Sequence, residues 1–151
     1  MGAEGSRESI VVGTDGSDTA KQAVEEAIRQ AKVLGGELHV VSGYSPLRGA
    51  RVAGAAEGAG EVSAPLPDAE VKRILEEAGA VARIAGVPVE VHAIENDGAE
   101  ALLEVATNVD ATLIVVGNRG MHGAKRLLGS VPNKVSHQAR CNVLIVATGR
   151  D

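Results

Sequence analysis

The sequence predicts an α/β protein, a doubly wound parallel sheet with helices on both faces. Three observations predict it. Short apolar runs alternate along the chain with segments whose apolar residues recur at three- and four-residue steps. Hydrophobic residues make up 44%, yet Phe and Trp are absent and Tyr44 is the sole aromatic. The core must be built from Val, Ile, Leu and Ala, which suits a β-branched parallel sheet under Ala-rich helices. The length of 151 residues fits one domain, residues 1–151, with a single sizeable core.

The elements follow in order. Ile10, Val11 and Val12 sit in a short apolar run, residues 9–14, bounded by Asp15, Gly16 and Ser17; this is a buried strand leaving into a turn. Ala20, Ala23, Val24, Ala27, Ile28, Ala31 and Leu34 then repeat at helical spacing. Ser17 is the expected N-cap, Asp18 favours the first turn, and Gly35 with Gly36 ends the helix. Residues 38–42 make a second strand. Residues 43–67 are dominated by Gly, Ala, Pro and Ser, and their length and composition predict a disordered insertion or a functional lid. Asp68 is expected to cap a helix carrying Val71, Ile74, Leu75, Ala78, Ala82 and Ala85, stopped by Gly86. Residues 87–94 alternate as a strand with Pro88 near its start, and residues 99–109 form a helix on Leu102, Leu103, Ala106 and Val109. Residues 112–116 are the most apolar strand, expected at the centre. A helix over 130–139, with Ser130 as its N-cap, and a strand over 143–147 complete the chain. Alternation of this kind implies parallel strands and right-handed crossovers.

Bulk properties exclude several classes. A net charge of −5 argues against nucleic acid as a general partner. The single cysteine, Cys141, cannot form an intramolecular disulfide and reads as a small buried hydrophobe. No apolar stretch has the length of a signal peptide or a membrane span, so a soluble, cytoplasmic protein without membrane contact is expected. Gly2 after Met1 is too weakly supported to read as a myristoylation site.

Ligands of such sheets bind at the carboxyl ends of strands, where the strand order reverses. Two loops leaving strands carry the chemistry. The first holds Gly13, Thr14 and Asp15. The second, residues 117–130, holds Gly117, Gly120, Gly123 and Gly129 together with Asn118, Arg119, His122, Lys125 and Arg126. Glycines let backbone N–H groups approach a ligand, and a helix start offers unpaired N–H groups at its positive end. That combination makes an anion site, most often for phosphate. If the first and fourth strands lie side by side, both loops open on one crevice. Asp15 would repel a phosphate but bind ribose hydroxyls or a base amino group, so the pattern reads as a nucleotide site.

The run Val11, Val12, Gly13, Thr14, Asp15, Gly16, Ser17 resembles the universal stress protein family. So do Gly117 and Gly120 followed by Gly129, Ser130, Val131 and Pro132, and then Cys141, Asn142, Val143, Leu144, Ile145 and Val146. The resemblance spans about residues 9–147 and lapses in the 43–67 loop. It implies a five-stranded sheet in the order 3-2-1-4-5, usually dimeric, with members that bind ATP and members that do not. It places Gly13, Thr14 and Asp15 at the nucleoside and the backbone near Gly43 at the adenine edge. It places Gly117, Asn118, Arg119, Gly120, Gly129, Ser130 and Val131 at the phosphates. ATP binders of the family separate the second and third glycines by nine residues. Here eight, residues 121–128, separate Gly120 from Gly129, which leaves the phosphate count open. The Gly117–Asn118 pair and the run from Gly129 to Pro132 are similar to those of actinobacterial members that favour cyclic AMP. ATP, AMP and cyclic AMP are therefore all candidate ligands, and Mg2+ could accompany ATP.

Gly123, Ala124 and Lys125 superficially suggest a P-loop, but the earlier glycine and the following Ser or Thr are absent. No Gly-x-Ser-x-Gly motif occurs and no carboxylate lies in the second loop, so no catalytic residue is assigned; at most a weak ATPase activity is expected. His122, Lys125 and Arg126 read as a solvated loop. His39, His92 and His137 show no metal-ligand spacing and read as structural, so no metal site is expected. The last strand, with Val143, Leu144, Ile145 and Val146, would lie at a sheet edge in this topology and needs a cover. A homodimer through it is expected, either around a bound nucleotide or as a purely structural pair.

Overall fold

The strands are β1 (Ser9–Gly13), β2 (Glu37–Gly43), β3 (Val89–Ile94), β4 (Leu113–Gly117) and β5 (Asn142–Val146). In the computed structural model, which describes residues 7–45, 68–118 and 129–148, they form one parallel sheet in the order β3-β2-β1-β4-β5. The order implied by the family resemblance is the order found. β1, whose Ile10, Val11 and Val12 are fully buried, is the middle strand. β4 was expected there because of its apolarity, but it lies one place nearer the edge.

Successive residues of a strand face opposite sides of the sheet, and here both sides are covered. On one face α1 (Asp18–Leu34) and α2 (Asp68–Ile84) set Val24, Ala27, Ile28, Val71 and Leu75 against Ile10, Val12, Leu38, Val40 and Val115. On the other, α3 (Gly98–Asn108) and α4 (Ser130–Gln138) set Ala101, Leu102, Val105 and Val135 against Val11, Val41, Ile114 and Val116. Each fully buried Val, Leu or Ile contributes about 1.5–3 kcal/mol relative to exposure, so these two layers supply the bulk of the driving force.

Local chemistry sets the ends. The Ser17 hydroxyl accepts the Ala20 N–H at 3.2 Å at the start of α1. Gly35, at φ 66°, ends the helix, and the Gly36 N–H turns back to the Ala31 carbonyl at 2.9 Å. Asp97 caps α3, its Oδ1 accepting the Glu100 N–H at 2.9 Å.

Several boundaries differ from the sequence expectation by one or two residues, and three of them bear on the capping and pairing. β3 starts at Val89 rather than 87: Pro88 has no N–H to donate, and its carbonyl accepts from Leu38 at 2.8 Å. Asp68 is the first residue of α2, not its cap. Ser130 is likewise the first residue of α4, and Gly129 occupies the N-cap with φ −66° and ψ 170°. No helix among the described residues is long and apolar enough to cross a membrane. Of the segment 43–67, expected to be a disordered insertion or a lid, residues 46–67 lie outside the described residues.

Candidate functional site

β1 and β4 pair directly, Val12 opposite Val115, so the chain leaves Gly13 and Gly117 at the same end of neighbouring strands. The condition for one shared crevice is met. β1 continues to β2 and β4 to β5 on opposite sides, which makes this the switch point of the sheet.

The first loop is tightly organised. The Thr14 N–H extends the ladder to the Val41 carbonyl at 2.9 Å, and the Thr14 carbonyl accepts the buried Ser42 hydroxyl at 2.8 Å. Asp15 Oδ1 accepts the Ser17 N–H at 2.9 Å, and Gly16 takes φ 84° between them. This Asx turn holds an exposed Asp15 beside the start of α1. Asp15 thus braces the turn that leaves β1 at the carboxyl end of the sheet.

The second loop starts on Gly117 and Asn118. A Cβ on Gly117 would stand 3.4 Å from Thr148 Cγ2 and 3.6 Å from the Thr19 carbonyl oxygen, so the first turn of α1 borders the second loop's start. The Asn118 N–H pairs with the Val146 carbonyl at 3.0 Å. Its side-chain Oδ1 accepts both the backbone N–H and the hydroxyl of Thr148, each at 2.8 Å. Arg119 and Gly120, and with them His122, Lys125 and Arg126, lie outside the described residues.

The loop returns at Gly129. The glycine N-cap makes no side-chain hydrogen bond, so the first turn of α4 starts without the cap expected of Ser130. Ser130 is exposed, with Val131 half-buried behind it. Pro132 has no N–H, and the Asn133 N–H is used on the Gly129 carbonyl at 3.0 Å. Ser130 and Val131 carry the N–H groups left for an external acceptor.

Sequence reasoning missed the segment that joins Gly43 to this helix start. A Cβ on Gly43 would run into the Asn96 carbonyl oxygen and stand 3.1–3.2 Å from the Asp97 carbonyl group. One residue on, a Cβ on Gly98 would stand 3.6 Å from Val131 Cγ2. Asn96, Asp97 and Gly98 therefore form a wall between the end of β2 and the start of α4. Gly43 is glycine because this backbone passes over it, a requirement independent of any ligand.

A family model described as the universal stress protein family matches residues 6–147. The chain belongs to the universal stress protein family. Universal stress protein Rv1636 from Mycobacterium tuberculosis is 39% identical over 145 residues, covering 93% of this chain and 96% of that protein. MJ0531 from Methanocaldococcus jannaschii is 36% identical over 140 residues, covering 91% and 80%. Among solved structures, a universal stress protein in complex with cAMP superposes with a TM-score of 0.73 at 34% identity, over 95% of this chain and 98% of that one. The Archaeoglobus fulgidus protein in complex with dAMP gives 0.65 at 26% identity, over 91% and 96%.

This universal stress protein also carries a polar cluster that spacing along the chain did not reveal. Parallel pairing of β2 with β3 sets His39 opposite Glu90 and brings His92, 53 residues away in sequence, to 3.0 Å between His39 Nδ1 and His92 Nε2. His39 is buried, and its Nε2 donates to Glu37 Oε2 at 3.0 Å. Burial, and then the neighbouring His39, hold His92 below the ordinary imidazole value against the opposing pull of Glu90. The His137 Nδ1 donates to the Asn133 carbonyl at 2.9 Å. Cys141 is half-buried, and burial pushes its thiol up.

Proposed function

We propose that this protein binds an adenine nucleotide in the crevice at the carboxyl ends of β1 and β4, and acts as a cytoplasmic regulatory protein rather than an enzyme. The observation that carries the reading is the start of α4. It lies at the switch point of the sheet, without a side-chain cap, in a chain similar over nearly its whole length to one solved with cAMP. An uncapped helix N-terminus holds an anion through unpaired N–H groups and the helix dipole.

In this reading Asp15 takes the ribose hydroxyls, flanked by the backbone of Gly13 and Thr14, and the edge of adenine meets the chain near Gly43. The phosphate sits against Gly117, Asn118, Arg119, Gly120, Gly129, Ser130 and Val131. The shortened spacing between Gly120 and Gly129 favours one phosphate over three, in keeping with the monophosphates cAMP and dAMP bound by the two structural relatives. ATP, with Mg2+, is the competing ligand.

β5 is a sheet edge on which Val143, Leu144, Ile145 and Val146 are each only partly covered. Pairing with a second copy would cover them, and a twofold dimer is the closed solution.

Calorimetric titration with cAMP, AMP and ATP tests the reading. Heat is expected with the monophosphates at lower concentration than with ATP, and no heat with any of the three overturns it. Sedimentation tests the dimer, which a monomer at micromolar concentration removes.

A further inference from the structure

The cluster on β2 and β3 lies well away from the crevice. His39 is four residues before Gly43 on β2, about 13 Å along the strand at 3.3 Å per residue. Among the described residues, His39, His92 and Glu90 bring three potential metal-ligand atoms within 4.8 Å of one another. All three side chains fall on one side of the sheet, the face covered by α3 and α4 over the inner strands, where β3 is the outermost strand.

We infer that His39, His92 and Glu90 form a binding site for a divalent transition-metal ion, with zinc the ion the donor set fits best. The distances carry the inference. Tetrahedral zinc with bonds of about 2.0–2.1 Å needs ligand atoms about 3.3–3.4 Å apart. His39 Nδ1 lies 3.0 Å from His92 Nε2 and 3.6 Å from Glu90 Oε1, on either side of that value.

The tautomer is set for metal as well. A carboxylate accepts and an imidazole N–H donates, so the contact to Glu37 fixes the proton on His39 Nε2 and leaves the Nδ1 lone pair facing His92 and Glu90. A carboxylate behind a histidine is the second layer that orients metal-binding imidazoles and raises their basicity. In the metal-free pair, His92 Nε2–H donates to His39 Nδ1. On metal binding that proton moves to His92 Nδ1, and the ion takes its place between the rings. His39 is buried at 3% exposure, while Glu90 is exposed and His92 half-buried, so the ion has a path from solvent. Two imidazoles and one carboxylate leave the fourth position of a tetrahedron to water. The ion would tie edge strand β3 to β2 by side chains as well as by the backbone ladder.

The test is calorimetric titration of the full chain, first stripped with a chelator, with zinc chloride in a non-coordinating buffer. One zinc per chain is expected, with a raised Tm, because an ion that binds only the folded state stabilises it. Excess Mg2+ should leave binding unchanged, since an imidazole-rich set suits zinc and not a hard oxygen-seeking ion. His92→Ala should weaken binding by more than about 100-fold, and Glu37→Gln by about 10–100-fold, the loss associated with an outer-layer partner. Glu90→Gln, at an exposed position that does not threaten folding, should weaken it too. Cobalt in place of zinc should give the visible spectrum of a four-coordinate ion, lost in His92→Ala. His137→Ala and His122→Ala should bind as the parent does. The inference is overturned if the parent shows no saturable one-to-one binding, if folded His92→Ala and Glu90→Gln bind zinc as tightly as the parent, or if His122→Ala removes the binding.

Discussion

Asn118 and Thr148 are joined twice. One side-chain oxygen of Asn118 accepts both the backbone N–H and the hydroxyl of Thr148, at 2.8 Å each, across 30 residues. Thr148 is buried, so this oxygen is what satisfies both of its donors. The clamp ties Asn118, the residue that follows β4, to the chain just beyond β5. It also divides the Asn118 side chain: the oxygen is committed to the fold, and in the proposed reading the amide nitrogen is what meets the phosphate.

Asn118→Ala is therefore expected to destabilise the protein by about 1–3 kcal/mol, the cost of leaving buried donors without an acceptor. Asn118→Asp keeps the acceptor and should retain most of the stability, while its added charge repels an anion and weakens nucleotide binding. Urea unfolding with calorimetry on the same variants checks both. A fully stable Asn118→Ala removes the clamp from the account of the fold.

Asp15 permits the complementary separation. Its Oδ1 accepts the Ser17 N–H at 2.9 Å, a contact that an asparagine oxygen can reproduce. Asp15→Asn should leave the unfolding midpoint near its original value. If the carboxylate binds ribose hydroxyls, affinity for AMP should fall about 10–100-fold, since a hydrogen bond to a charged group is worth about 1.5–3 kcal/mol. Unchanged affinity would move the nucleoside away from Asp15.

Gly43 is a steric matter. Both groups that a new Cβ would meet, the Asn96 carbonyl oxygen and the Asp97 carbonyl group, belong to the backbone, and Asp97 caps α3. Gly43→Ala must push this wall outward, at about 1–3 kcal/mol for overpacking. The expected result is a lower Tm even without nucleotide, which a role confined to ligand contact would not produce.

The strands and helices were legible because each rests on local pattern, whereas the neighbouring placement of β1 and β4, which pairs the two loaded loops, came from the family resemblance. Alternating apolar runs such as residues 9–13 and 113–117 mark strands, and Ser17 and Gly35 punctuate α1 by backbone chemistry that depends on near neighbours. What was not legible depends on register. Nothing near His39 in sequence points to His92; only the alignment of Leu38 with Val89 across β2 and β3 carries one ring to the other. The wall from Asn96 to Gly98 was hidden for the same reason, since its importance comes from Gly43 beneath it. The cap of α4 shifted by one place because glycine and serine both suit an N-cap, and the sequence offers them side by side at Gly129 and Ser130.

Cys141 should behave as an unreactive thiol at neutral pH. Burial raises its pKa above the ordinary 9.0, so at any pH below that the folded chain carries less thiolate than the unfolded one. Alkylation by iodoacetamide should be slower in the native protein than in urea at pH 8. The native rate should keep climbing, about tenfold per pH unit, past the pH at which the unfolded rate levels off, because the thiolate is the nucleophile. Equal rates in the two states would contradict a thiol shielded by its surroundings.

Gly129 sets stability against function. With φ −66° and ψ 170° it has the geometry of an ordinary N-cap but no side chain to accept an N–H from the first turn of α4. Asp fits that conformation without strain, and its carboxylate would cap the helix and favour its positive end. Gly129→Asp is therefore expected to raise stability by a few tenths of a kcal/mol, about the difference between glycine and a good N-cap. The same carboxylate would stand where the proposed phosphate binds, competing for the Ser130 and Val131 N–H groups and repelling the ligand. Nucleotide affinity should fall steeply, by more than about tenfold, and the loss should shrink with added salt as the repulsion is screened. Chemical unfolding and calorimetry at two ionic strengths read the two effects separately. A variant that is more stable and still binds AMP as the parent does would place the phosphate away from the start of α4.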